Sequence, residues 1–70
     1  MNKENFERVR TYDIIKRDFM DIKFNLSKLI NETAEEGDYE KADGLRSFMD
    51  SIKPHIDRAY KLYFEALKNN

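Results

Sequence analysis

Residues 32–42 read Glu32-Thr33-Ala34-Glu35-Glu36-Gly37-Asp38-Tyr39-Glu40-Lys41-Ala42, and this stretch decides the fold. Gly37 is one of only two glycines in 70 residues. It can take the left-handed backbone conformation that ends a helix. Asp38 behind it is a good N-cap, because its carboxylate accepts from the free amides that start the next helix and suits the positive helix end. The pair predicts a chain reversal, with one helix from about Asn5 to Glu36 and a second from about Tyr39 to Lys68.

Both arms carry a seam that fits this reversal. The first has Tyr12, Ile15, Phe19, Ile22, Leu26, Leu29 and Thr33 at alternating steps of three and four. The second has Ala42, Leu45, Met49, Ile52, Ile56, Ala59, Tyr63 and Ala66 in the same rhythm. Such spacing places one stripe of each helix against a neighbour. Folding the chain at Gly37 pairs Leu29 with Leu45, Leu26 with Met49, Ile22 with Ile52, Phe19 with Ile56, Ile15 with Ala59 and Tyr12 with Tyr63. Turn, seam and register agree, as they do in a sequence that specifies one structure.

Pro54 is the objection. It removes the bond its amide would give to the carbonyl of Asp50, and its ring crowds that turn. The seam nevertheless passes from Ile52 to Ile56 in phase. The expectation is an all-α chain, a single domain over residues 1–70, built as one long antiparallel hairpin kinked at Pro54. A three-helix bundle restarting at Pro54 or His55 is the alternative.

Seventy residues bury too little surface for a large core, so a supplement is expected. The chain has no cysteine and one histidine, His55. Disulfides and thiolate or histidine-rich metal sites are therefore excluded, and no cofactor is expected. Oligomerisation or docking remains. Charged residues make up 39% and the net charge is −1, which argues against a general nucleic-acid binder. The charge is uneven: residues 1–30 carry net +2, residues 31–50 net −5 and residues 51–70 net +2. No apolar run approaches membrane-spanning length, and the first residues lack the build of a signal peptide. No membrane contact and a cytoplasmic location are expected.

A hairpin seam leaves large apolar side chains over. Phe6, Met20 and Phe24 fall nearly opposite the first seam, while Phe48 and Leu62, and Tyr60, Phe64 and Leu67, flank the second. Phe6, Met20, Phe24, Phe48, Leu62 and Phe64 are the candidate partner-binding residues. The partner is expected to be a second copy, giving a four-helix bundle, or a larger host protein. Glu35, Glu36, Asp38 and Glu40 would steer association towards a basic patch.

No catalytic site is expected. His55 has no nucleophile or held carboxylate beside it, Asp18 and Asp21 lie on a helix surface, and the acidic turn lacks the oxygen spacing of a calcium loop. The second functional class is nucleic-acid binding through Arg8, Arg10, Lys16, Arg17 and Lys23, with Lys28 further along and Phe24 available to stack on bases. Against it, acids such as Asp13 sit at salt-bridge spacing from these bases.

The turn region, residues 23–53, also resembles the UVR motif, the helical-hairpin module of bacterial excision-repair proteins and Clp-protease regulators. The matching residues are Leu26, Ile30, Ala34, the triplet Asp38-Tyr39-Glu40, Ala42 and Leu45-Arg46. Asp43, Gly44 and Ser47 depart from it. The resemblance implies a protein-binding hairpin, often paired with another copy. The small lysine- and asparagine-rich chain is also similar in composition to phage and plasmid accessory proteins. Together these readings point to a non-catalytic adaptor, regulator or inhibitor.

Overall fold

Gly37 has a φ of +84°, inside the left-handed region that favours glycine. Its amide donates to the carbonyl of Ala34 at 3.0 Å, and the Asp38 amide donates to the carbonyl of Thr33 at 2.9 Å. These two bonds are the Schellman closure, which satisfies carbonyls that the end of a helix leaves free. Asp38 then starts the next helix: Oδ1 accepts from the Lys41 amide at 3.2 Å, and its carbonyl accepts from the Ala42 amide at 3.1 Å. One residue thus closes the first helix and caps the second.

The computed structural model describes residues 3–68. Helix α1 spans Lys3–Glu35 and helix α2 spans Tyr39–Lys68. They pack antiparallel into a rod of 53 × 16 × 11 Å, with no strand among the described residues. The first helix begins two residues earlier and ends one earlier than expected, and the second has the expected bounds. α2 runs unbroken through Pro54, so the three-helix alternative does not form. The helix passes this point because Ile56 is buried and Ile52 half-buried, one on each side of the proline, and both hold α2 to α1.

The α2 seam is as expected: Ala42, Ile56 and Ala59 are buried, and Leu45, Met49, Ile52, Tyr63 and Ala66 are half-buried. The α1 seam needs correction. Leu26, Ile30 and Thr33 are buried, while Val9, Tyr12, Lys16, Phe19 and Lys23 are half-buried. Lys16, Lys23 and Ile30 therefore occupy the places expected for Ile15, Ile22 and Leu29, which stand 41%, 43% and 46% exposed. The true face of α1 is rotated by about 50° from the expected one, at 3.6 residues per turn. The turn is the physical reason. It sends α2 over the side of α1 that carries Ile30, Thr33 and Ala34, and the rest of α1 must follow. Lysine tolerates this position because its stem can lie along apolar surface while its ammonium reaches out.

Candidate protein-binding surface

The rotation of α1 sorts the leftover apolar side chains onto two flanks of the hairpin. In antiparallel helices, the residue before each first seam position on one arm lies on the same side as its counterpart on the other. On one side this gathers Ile15, Ile22 and Leu29 from α1 with Phe48, His55 and Leu62 from α2. We call it the isoleucine flank. Arg8 and Leu62 line one groove at its open end, of about 230 Å³, together with Val9, Tyr12 and Ala66. Phe48 is 53% exposed, and Leu62 is half-buried.

The opposite side, the tyrosine flank, is built differently. Lys16 Nζ sits 4.1 Å from the centre of the Tyr63 ring and 5.4 Å from that of Tyr60. It also bonds Asp13 Oδ1 at 3.1 Å, while Arg17 Nε takes Oδ2 of the same carboxylate at 3.1 Å. Tyr63 meets Phe64 edge-on, with centroids 5.4 Å apart, and Tyr60 stacks with Phe64 at 6.4 Å. A cation held over two rings and against a carboxylate is a satisfied cluster. Among the described residues, no buried side-chain polar atom lacks a partner.

The expected partner-binding residues do not form one surface. Phe48 and Leu62 share the isoleucine flank. Phe6 and Met20 lie at the edge of the tyrosine flank, not opposite the seam, because of the rotation of α1. Phe24, 71% exposed, is on the outer surface of α1, and Phe64, 56% exposed, lies at the outer edge of the tyrosine flank against Tyr60 and Tyr63. Ile15, Ile22 and Leu29, expected in the core, stand on the surface instead. A signal was present at one level: Ala59 is small and lies level with Lys16, whose ammonium reaches past it to the Tyr60 and Tyr63 rings.

The remaining candidates are placed as follows. Glu35, Glu36, Asp38 and Glu40 are all exposed at the tip, and Asp38 also serves as the N-cap. The last turn of α1 carries no basic side chain, so Glu32 and Glu35 oppose the helix dipole there. Of the basic residues, Arg8 pairs with Glu4 at 3.5 Å, and Lys16 and Arg17 share Asp13. Lys23 is half-buried in the seam, while Arg10 and Lys28 are exposed on the outer surface. They do not make a single basic stripe. Asp18, Asp21 and His55 are exposed. Among the described residues no group of three or more His, Asp or Glu could hold a metal ion. No helix is long and apolar enough to cross a membrane.

In the UVR-like region, Leu26, Ile30 and Ala42 are buried, and Ala34 and Leu45 are half-buried. Arg46 is turned back onto Asp43 at 2.8 Å. No family model matches the chain, and no curated protein or solved structure matches it either.

Proposed function

We propose that this chain is a non-catalytic protein-binding module, an adaptor, regulator or inhibitor, that acts by covering a surface with its isoleucine flank. One observation carries this reading. Three large aliphatic side chains recur at seven-residue intervals along one side of α1, each more than two-fifths exposed, with Phe48 and Leu62 beside them. Single exposed apolar residues are ordinary on proteins, but a continuous row rimmed by charge marks an interaction surface. Interface energy concentrates in such aliphatic and aromatic anchors. The UVR-like pattern at the tip supports protein binding by resemblance. A cytoplasmic location belongs to the same proposal, in keeping with a chain that has no cysteine.

The test is site-specific photo-crosslinking. A photoreactive residue at position 22, on the flank, is compared with one at position 18, on the outer surface. Crosslinked protein products from position 22 alone, unchanged by nuclease, are expected. Equal products from both positions, or products that vanish with nuclease, would sink the reading in favour of a non-specific or nucleic-acid contact.

A further inference from the structure

The isoleucine flank has a symmetry of its own. Along α1 it reads Arg8, Ile15, Ile22 and Leu29 at seven-residue steps, and Glu36, just past the helix end with its amide still bonded to the Glu32 carbonyl at 3.1 Å, takes the next step. Each step is about two turns, or roughly 10.5 Å of rise. Turned end for end about Ile22, the row maps Ile15 onto Leu29 and Arg8 onto Glu36. Apolar meets apolar, and base meets acid at both ends. The α2 row on the same flank is centred on His55 and maps Phe48 onto Leu62. Arg8 and Glu36 are both exposed, and the 3.5 Å pair of Arg8 with Glu4 lies between largely exposed side chains, so Arg8 is free to turn outward.

We propose that the occupant of this flank is a second copy of the chain, laid antiparallel about a two-fold axis to give a four-helix bundle. The proposal rests on reading the flank as a protein-binding surface. An isologous interface must be complementary to itself under rotation, and this row is.

Area points the same way. A compact folded monomer of 8.4 kDa exposes about 4,600 Å². This chain exposes 5584 Å². The excess of about 1,000 Å² compares with the roughly 800 Å² that each partner buries in a stable interface.

Charge sets the direction. Residues 31–46, at the tip, carry six acidic and two basic side chains. Residues 3–16 and 60–68, at the open end, carry six basic and four acidic. Antiparallel packing lays each tip along the partner's open end, whereas parallel packing would stack two acidic tips. The tyrosine flank offers no such row, since Asp13, Ser27, Arg46 and Lys53 interrupt it.

The chain has no native cysteine, so a single introduced thiol reports on one position. Ile22→Cys lies at the proposed axis and is expected to form a disulfide-linked dimer under mild oxidation, while Phe24→Cys on the outer surface is not. By sedimentation equilibrium the wild-type chain is expected to be a dimer at micromolar concentration. Ile22→Glu should raise the Kd more than about 100-fold while circular dichroism shows that the helices remain. Arg8→Glu and Glu36→Arg should each raise it about tenfold, and the double reversal should restore most of the loss.

A wild-type chain that stays monomeric at all concentrations overturns self-docking. If position 22 still crosslinks to another protein, the protein-binding reading survives that result, and if it crosslinks to nothing, both fall. A dimer that ignores Ile22→Glu but is lost on reversing charges at the tip overturns the flank as the interface. A dimer weakened by the single charge reversals but not rescued by the pair overturns the antiparallel direction.

Discussion

The two ends of the hairpin are held by different means. Towards the tip, Leu26, Ile30, Thr33 and Ala42 are buried, with Ala42 fully enclosed, and the turn is tied by a continuous set of backbone bonds and a side-chain cap. Towards the open end, beyond Ile56 and Ala59, which are buried from mid-length outward, Val9, Tyr12, Lys16, Tyr60, Tyr63 and Ala66 are only half-buried, and a groove opens between the arms. The tip is a small apolar core. The open end is a seam of aromatic rings around a lysine. Apolar burial scales with area removed from water, whereas a surface ion pair contributes 0–1 kcal/mol and an exposed cation–π contact about 0.5–1 kcal/mol. The tip should therefore carry most of the stability, and the open end should open first.

The largest effect that can break this comparison is truncation of the core. Leu26→Ala is expected to destabilise the fold by about 3 kcal/mol, because it removes buried methyl groups and leaves a cavity. Tyr12→Ala at the open end should cost about 1 kcal/mol, since its ring is half in water already. Urea unfolding of the two variants measures the difference, and equal losses would show that the ends are alike.

The two glycines sharpen the contrast within the tip. An added Cβ meets nothing within 4 Å at either Gly37 or Gly44, so sterics with neighbours play no part. Gly37→Ala should cost about 1–2 kcal/mol, because the left-handed backbone at φ +84° disfavours any L side chain. Gly44→Ala, inside α2, should instead raise stability by about 1 kcal/mol through helix propensity. Opposite signs from the same substitution would isolate the backbone of the turn as the cause.

The smallest effect expected is at the lysine. Lys16→Met keeps the stem against the rings and removes the charge, and stability should change by no more than about 0.5 kcal/mol. Native-state hydrogen exchange supplies the matching spatial readout. Amides of residues 9–16 should exchange faster than those of residues 26–33. Uniform protection along α1 would contradict the division.

The turn was legible because it is chemistry of two adjacent residues: a glycine for the left-handed position and an aspartate for the cap. The α2 seam was legible because one stripe of α2 keeps the three–four rhythm without a charged or histidine side chain, while its neighbours take in His55 or Lys53. Even Pro54 was readable, since Ile52 and Ile56 keep phase across it. α1 was harder. Tyr12, Phe19, Leu26 and Thr33 belong to two possible seams, completed either by Ile15, Ile22 and Leu29 or by Lys16, Lys23 and Ile30. Hydrophobicity favours the first, and the structure uses the second. Periodicity along one helix cannot register that the turn has already chosen a side, or that Tyr60 and Tyr63 of the other helix offer their rings to a lysine ammonium. The same ambiguity hid the flank, since Ile15, Ile22 and Leu29 fit a core seam as well as a surface row.

Asp38 has a consequence in time as well as in space. Its amide ends α1 and its carboxylate begins α2, so both helices share one event at the turn. The contacts nearest that turn, such as those of Thr33 and Ala42, span a handful of residues, while those of Val9 and Ala66 span nearly the whole chain. Short loops close with the least entropy loss, so the arms should zip from the tip outward, each layer shortening the search for the next. Substitutions near the tip would then slow folding, and those near the open end would mainly hasten unfolding. A chain that zips in this order sets its tip first and completes the groove at its open end last.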